Sequence, residues 1–375
     1  MIRRSPGFVA GIAVACAALA FAVAGCGSSN NDNTSSSGGS STTASKAGKV
    51  AVLLPDTKSS VRWETQDRKY LDLAFTAAGV DHTIVNAQGD PATQASQADQ
   101  AITNGAKVIL LVDLDPGSGA AIIKKAHNQG VKVIDYDRLT LGGGADYYVS
   151  FDNEAVGKLQ GEGLVKCLEG ASKPKVAELN GSPTDNNATL FKAGAEQALK
   201  AKEDSGDYKR VADQAVPDWD NQQAGTIFEQ MYTETGGKID GVLAANDGLG
   251  NAAIAILKKN GLNGTVPVTG QDATDQGLQN ILAGDQCMTV YKAVKKEADA
   301  AAALAIAAAK GDDTASLATG EVEDSDTKKK VAAVLLDPQA IYFDNVKDVI
   351  ADGYTTKEAV CTADYADKCA EAGIS

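Results

Sequence analysis

The sequence predicts an α/β protein built from two doubly wound parallel-sheet lobes. Three observations carry this. Short apolar, β-branched runs alternate with longer amphipathic stretches from Lys49 onward; the alternation pauses at "DYYVSFD" and starts again; and most apolar runs end abruptly in a planar polar side chain. Strands that are apolar throughout, separated by helices, imply a parallel sheet covered on both faces.

In the first lobe "KVAVLLP" precedes a helical pattern over 62–78, "HTIVNA" one over 92–104, "KVILLVD" one over 119–129, and "VKVIDYD" closes the series. In the second, a helix over 153–168 leads to "KVAELNG", a helix over 187–202, "YKRVADQAV", a helix over 221–235 and "IDGVLAAN". A helix over 250–259, "VPVTGQD", a helix near 276–282 and "CMTVYK" complete it. The Ala-rich helix over 295–310 and the late strand "VAAVLLD" complete the first lobe, so the chain crosses between lobes near Phe151, Lys292 and Asp337. This divides it into a first lobe of 48–151 with 293–336, a second of 152–292 with 337–356, and a Cys-bearing tail, 357–375. The segment "GDDTASLATGEVEDSDTKKK" reads as a polar loop with solvated charges.

The formal charge of −14 excludes nucleic acid as a partner, because phosphate binding needs clustered Lys and Arg. With only His82 and His127, a histidine-rich metal site is excluded, and no cofactor is implied. "LGGGADYY" lacks the G-x-G-x-x-G spacing of a phosphate loop, and "DLDPGSG" departs from a calcium loop. At the N-terminus, Arg3 and Arg4 precede an apolar run too short for a comfortable membrane span, which reads as a secretory signal over 1–25. Its end, "VAGC", resembles the lipobox of bacterial lipoproteins, which implies a lipid on Cys26 and an anchor at the outer face of the cytoplasmic membrane. The Ser, Asn, Gly and Thr that follow make 26–47 a flexible tether. Cys167, Cys287, Cys361 and Cys369 are then an even set outside the cytoplasm. The spacing of Cys361 and Cys369 suits a small terminal clip, leaving Cys167 with Cys287, though three connectivities are possible.

In open parallel sheets, ligands bind beyond the carboxyl ends of the strands. There stand Asp56, Asp113, Asp137 with Arg138, Asp152 with Asn153, Asn180, Asp218 with Trp219, Asn246 with Asp247, Gln271 with Asp272, and Lys292. Arg62 with Trp63 and the "TDNN" of Asp185, Asn186 and Asn187 join them at helix starts. Asp and Asn are also favoured helix N-caps, and for Asn153, Asp218 and Asp247 the cap reading stands beside the functional one. A cap explains no Arg, Lys or Trp. Carboxylates, amides and guanidinium groups match vicinal hydroxyls, and indole faces stack on the C–H faces of a pyranose. No Ser, Cys or His sits beside a base, so an enzyme is not implied; the one arrangement an enzyme could use is Asp247 and Asp272 with Lys292. The set is built to hold a neutral polyol, with Asp137 and Arg138 expected to pair with each other beside its hydroxyls.

The motifs "VRWETQDR", "YDRL", "YYVSFDNEAVGKLQ", "GSPTDNNATLFKAG", "AANDG", "TGQDA" and "MTVYKAV", in this order over roughly 49–353, resemble the type I periplasmic sugar-binding proteins of ABC importers, the xylose binders in particular. The resemblance implies a type I periplasmic-binding-protein-like fold with a three-segment hinge. It implies sugar contacts at Arg62, Trp63, Asp137, Arg138, Asp185, Asn187, Asn246, Asp272 and Lys292, with a second stacking ring at Trp219, where "VPDWD" matches less closely. It further implies a monomer that takes up a monosaccharide, D-xylose first, closes on it and docks on an ABC permease. A repressor of the same two-lobe build would need an N-terminal helix-turn-helix instead of an export signal. The tail 357–375 departs from the family pattern.

Overall fold

The structure is a computed structural model and describes residues 48–374. The expected signal peptide, Cys26 and the tether lie outside the described residues. Among those described, no helix is long and apolar enough to cross a membrane.

Seven strands form the first sheet: β1 (Lys49–Leu54), β2 (His82–Asn86), β3 (Ala106–Leu111), β4 (Lys132–Tyr136), β5 (Tyr147–Phe151), β10 (Gly320–Glu323) and β11 (Lys330–Leu336). Their order is β10-β11-β5-β4-β3-β1-β2, and every pair is parallel except β10 with β11. Residue parity sorts the faces, as side chains alternate along a strand. Val50, Val52 and Leu54 pack with Val108, Leu110 and Ile134 against α1 (Arg68–Ala77) and α9 (Val294–Lys310). Ala51 and Leu53 pack with Ile109, Leu111 and Val133 against α2 (Pro91–Thr103) and α3 (Pro116–Asn128). Each such fully buried Val, Leu or Ile side chain contributes roughly 1.5–3 kcal/mol.

The second sheet repeats the plan with β6 (Lys175–Asn180), β7 (Lys209–Ala215) and β8 (Gly241–Ala244) in the order β7-β6-β8. Ala177, Leu179, Val242 and Ala244 face α6 (Asn221–Glu234) and α7 (Asp247–Lys259). Val176 and Leu243 face α4 (Asn153–Cys167) and α5 (Asn186–Asp204). Helices α4 and α5 lie close because Gly157 has no side chain: a Cβ there would run into the Phe191 carbonyl.

Three expectations need correction. "VPVTGQD" is not a full strand; Val268 makes one bridge to Val242 before positive φ angles at Asp272 and Ala273 turn the chain away. "CMTVYK" supplies β9 (Thr289–Tyr291), which pairs antiparallel with β12 (Gln339–Ile341) in a separate ribbon rather than extending the parallel sheet. The polar segment after α9 contains β10, an edge strand whose charged residues leave its outer side unattractive to a further strand. The cap readings also shift by a residue or two: the N-caps of α4, α6 and α7 are Asp152, Asp220 and Asn246, not Asn153, Asp218 and Asp247.

Two disulfides join Cys167 to Cys287 and Cys361 to Cys369, with Cα separations of 6.3 and 5.9 Å. Both lie within the range a disulfide spans. The first closes a loop of 120 residues and the second a loop of 8. Chain entropy alone makes them worth about 5 and about 2.5 kcal/mol. Replacing Cys167 and Cys287 together by Ser should therefore lower the urea midpoint far more than replacing Cys361 and Cys369. Equal losses, or a non-reducing peptide map with other pairs, would contradict this.

Candidate binding cleft

The order β7-β6-β8 and the run β2-β1-β3-β4-β5 within the first sheet both place a topological switch point beside their first strand, and the carboxyl ends there face each other across a cleft. A narrow polar pocket lies in it. Arg62, Trp63, Asp137, Arg138, Asp185, Asn187, Trp219, Asn246, Asp272 and Lys292 all line it. Every residue singled out as a sugar contact in the sequence is thus brought to one place. Asp56, Asp113, Asp152, Asn153, Asn180, Asp218 and Asp247, collected at the strand ends, are not in its wall.

The first helix explains how Arg62 and Trp63 are aimed. It opens with a π-helical turn, Trp63–Asp67, before becoming α-helical, and such wide turns are frequent at functional sites. Arg62 is 1% exposed. Its Nε and Nη2 donate to the two carboxylate oxygens of Asp67, each at 2.9 Å, and Nη2 also donates to Glu297 at 3.1 Å. Tyr136 donates to the same Asp67 at 2.7 Å. The guanidinium carbon stands 4.4 Å from the centre of the Trp63 ring, whose Nε1 donates to Ser59.

Asp137 and Arg138 do not pair with each other, contrary to the sequence expectation. Asp137 takes a left-handed backbone (φ 65°) directly after β4, and this turn sends the two side chains to different partners. The Asp137 carboxylate stands 3.0 Å from Arg62 Nη2 and 3.4 Å from Lys292 Nζ. Arg138 Nε lies 3.0 Å from Asp185 Oδ2, off the N–H axis, as an ion pair rather than a hydrogen bond. Its Nη1 donates to the Asp113 carbonyl. Burial alone would raise the Asp137 pKa, but Lys292, Arg62 and Arg138 outweigh it and hold the group at about 2.

In the second lobe Asp185 caps α5, accepting from Asn187 N–H through one oxygen and from Trp219 Nε1 through the other, at 2.9 and 3.0 Å. Cap and site roles coexist in one carboxylate. Trp219 packs edge-on to Phe191 and crosses over Gly181, where a Cβ would run into its six-membered ring. Asn187 donates to the Asp137 carbonyl at 3.0 Å, Asn246 to the Ser59 carbonyl at 3.1 Å, and Ser60 to Asp272 at 2.9 Å. These three bonds join the lobes directly. Asp247 lies behind the pocket, accepting from Thr274, Gln286 and Thr289, and burial pushes its pKa up to about 7. Turned inward onto these donors, it is not available as a base beside Lys292.

Ser59, Ser60, Phe191 and Gln271 also line the pocket and were not among the expected contacts. The signals were available: the serines stand two and three residues before Arg62, Phe191 lies one helical turn after Asn187, and Gln271 adjoins Asp272.

The profile described as "Periplasmic binding protein domain" matches residues 50–313. A D-xylose-binding periplasmic protein of Escherichia coli is 35% identical over 316 residues, covering 83% of this chain and 92% of that one. Its counterpart in Haemophilus influenzae is 36% identical, covering 85% and 94%. An ABC transporter solute binding protein from Clostridium phytofermentans, solved with bound β-D-glucose, superposes with a TM-score of 0.74 at 28% identity, covering 83% and 99%. With the two switch points facing one cleft and this match along most of the chain, the protein belongs to the periplasmic binding protein family.

Proposed function

We propose that this chain is the solute receptor of an ABC importer: it captures one monosaccharide, D-xylose first, in the cleft and delivers it to a permease by docking in the closed form. It is a binding protein, not an enzyme. The observation that carries the reading is the convergence of Arg62, Arg138 and Lys292, five carboxamide or carboxylate side chains of the second lobe (Asp185, Asn187, Asn246, Gln271 and Asp272) and the two indoles on one pocket. Such a wall presents donors and acceptors around an apolar face, which is the pattern of a sugar. Identity to the two D-xylose-binding relatives supports xylose. The glucose-bound structure supports a hexose as the second reading. Contacts from both lobes favour the closed state when the sugar is present, because they exist together only there. The same reading makes the receptor a monomer, exported by its signal peptide and held at the outer face of the cytoplasmic membrane through Cys26 and the tether. Its lobes divide at 151–152, 292–293 and 336–337.

Isothermal titration of the full chain with D-xylose, ribose, arabinose, glucose and galactose tests the ligand. One-to-one binding, tightest for D-xylose, is expected. Preference for glucose would keep the receptor and replace the sugar, and silence across the panel would overturn the sugar reading. Mass analysis of the membrane-bound protein should find a diacylated Cys26 at the mature N-terminus.

A further inference from the structure

The tail that departs from the family pattern is folded against the back of the cleft. Val360, Cys369, Ala372 and Ile374 are buried in one cluster with Ala273, Leu278, Ile281 and Leu282, the latter three on α8 (Asp275–Ala283). Gln279 on α8 donates to the carbonyls of Ala359 and Val360, at 3.1 and 3.2 Å. The Cys361–Cys369 bond closes the tail on itself. Just before it, Tyr70 of the first lobe donates to the Gly353 carbonyl at 3.1 Å.

The segment these contacts surround is under conformational load. Asp272 and Ala273 have φ of 96° and 50°, a region that residues with a Cβ enter at a cost of about 1–3 kcal/mol each and hold only when their surroundings over-determine them. Asp272 N–H donates to Val290 O at 2.9 Å, which fixes the peptide unit before Asp272. The peptide unit after it is held at its N–H end by Ala273, which donates to Thr289 Oγ1 at 3.3 Å, and at its carbonyl end by Tyr354, 6% exposed, whose hydroxyl donates to the Asp272 carbonyl at 2.9 Å. Its ring is wedged edge-on against Tyr291, 5.2 Å away. Thr355 donates to the Asp275 carboxylate at the start of α8.

We propose that the C-terminal segment is a positioning element for the cleft and that Tyr354 is its positioning residue, setting the direction of the Asp272 carboxylate through the Asp272 main chain. The proposal rests on the reading of Asp272 as a sugar contact. Without the hydroxyl bond the Asp272 peptide can rotate toward an unstrained conformation, and the carboxylate then leaves Ser60 and the pocket. The tail acts as a brace, anchored to α8 by its buried face and closed by its disulfide, so that Tyr354 has a fixed base to act from.

Tyr354→Phe removes the hydroxyl and keeps the ring. Titrated with D-xylose, Tyr354→Phe is expected to bind about 5- to 10-fold more weakly than the parent, and to change nothing further when combined with Asp272→Asn, because residues that act through one another are non-additive. Equal affinity to the parent, or the same loss with and without Asp272→Asn, would overturn the proposal. A sugar-free arm keeps it separate from the choice of ligand: amide hydrogen exchange at Ala273 and Thr274 should quicken in Tyr354→Phe more than exchange in the core strands β1 and β3. Unchanged exchange there overturns the positioning role. Should the parent bind no sugar of the panel, the ligand reading fails and the exchange arm decides the role of Tyr354 alone.

Discussion

Replacing Arg62 by Met should destabilise the fold by about 3–5 kcal/mol at pH 8, because it strips the cation from a set of buried carboxylates. Asp67 and Glu297 are fully buried and Asp137 is 3% exposed, and all three approach this one guanidinium. Burial already raises the Glu297 pKa well above its ordinary value, aided by Asp137 and Asp67 and opposed by Arg62; burial raises Asp67 too, again against Arg62. Without Arg62 that opposition is gone, and both acids take up protons at higher pH still. An acid whose folded pKa lies above its unfolded value costs the fold most above the folded value, and that cost shrinks as pH falls through it, to vanish below the unfolded value. The loss in Arg62→Met should therefore shrink between pH 8 and pH 5 in urea unfolding. Adding Glu297→Gln, which deletes one of the stranded charges, should recover part of it. A loss under about 1 kcal/mol at pH 8, or one independent of pH, would refute the network.

The two acids of this network show what the sequence offered and what went unread. On the first helix Trp63, Asp67, Tyr70, Leu71 and Phe75 form the buried stripe, and on α9 the stripe runs Val294, Glu297, Ala298, Ala301, Ala302 and Ala305. Both stripes follow helical spacing, so Asp67 and Glu297 each interrupt an apolar face. An acid on such a face needs a buried partner, and the period that located the helices was sufficient to locate these acids. The partner itself was not legible, because Arg62 and Glu297 meet only after the chain has passed through the second lobe and returned.

The strands were legible for the opposite reason. A parallel strand covered on both faces is a near-continuous apolar run, and β1 with Val50–Leu54 and β3 with Val108–Leu111 stand out from any helix around them. Pairing that lacks that cover leaves no such mark. Gly320–Glu323 has one apolar residue, Val322, and β9 and β12 are each three residues long and meet across a long stretch of sequence. The cleft residues were found because each ends a strand or opens a helix, a position that local pattern fixes. Their partners were misjudged where neighbours in sequence were taken as neighbours in space: the left-handed turn at Asp137 separates its carboxylate from Arg138 and gives it to Arg62 and Lys292.

That redistribution makes Asp137 the side chain on which sugar affinity should depend most. Its carboxylate is the point where a cation of the first helix, Lys292 between the lobes, and Asn187 of the second lobe meet. Asp137→Asn keeps the size, and Asn tolerates the left-handed backbone the site requires. The substitution removes a charged acceptor from a buried pocket and leaves Lys292 with Asp272 alone, 3.7 Å away. In the proposed sugar site it should weaken binding by about 3 kcal/mol, on the order of 100-fold. The acid limb of stability gives an independent check. With a folded pKa of about 2 against an ordinary 3.8, ionised Asp137 stabilises the fold by about 2 kcal/mol. That contribution is fully present above the unfolded value and is lost as pH falls through the folded one. Between pH 5 and pH 2 the parent should therefore lose about 2 kcal/mol more than Asp137→Asn, read as diverging urea midpoints. If the variant binds sugar as tightly as the parent, the carboxylate faces its cations and not the ligand; if the two acid limbs coincide, its pKa is not lowered on folding and the cations do not hold it.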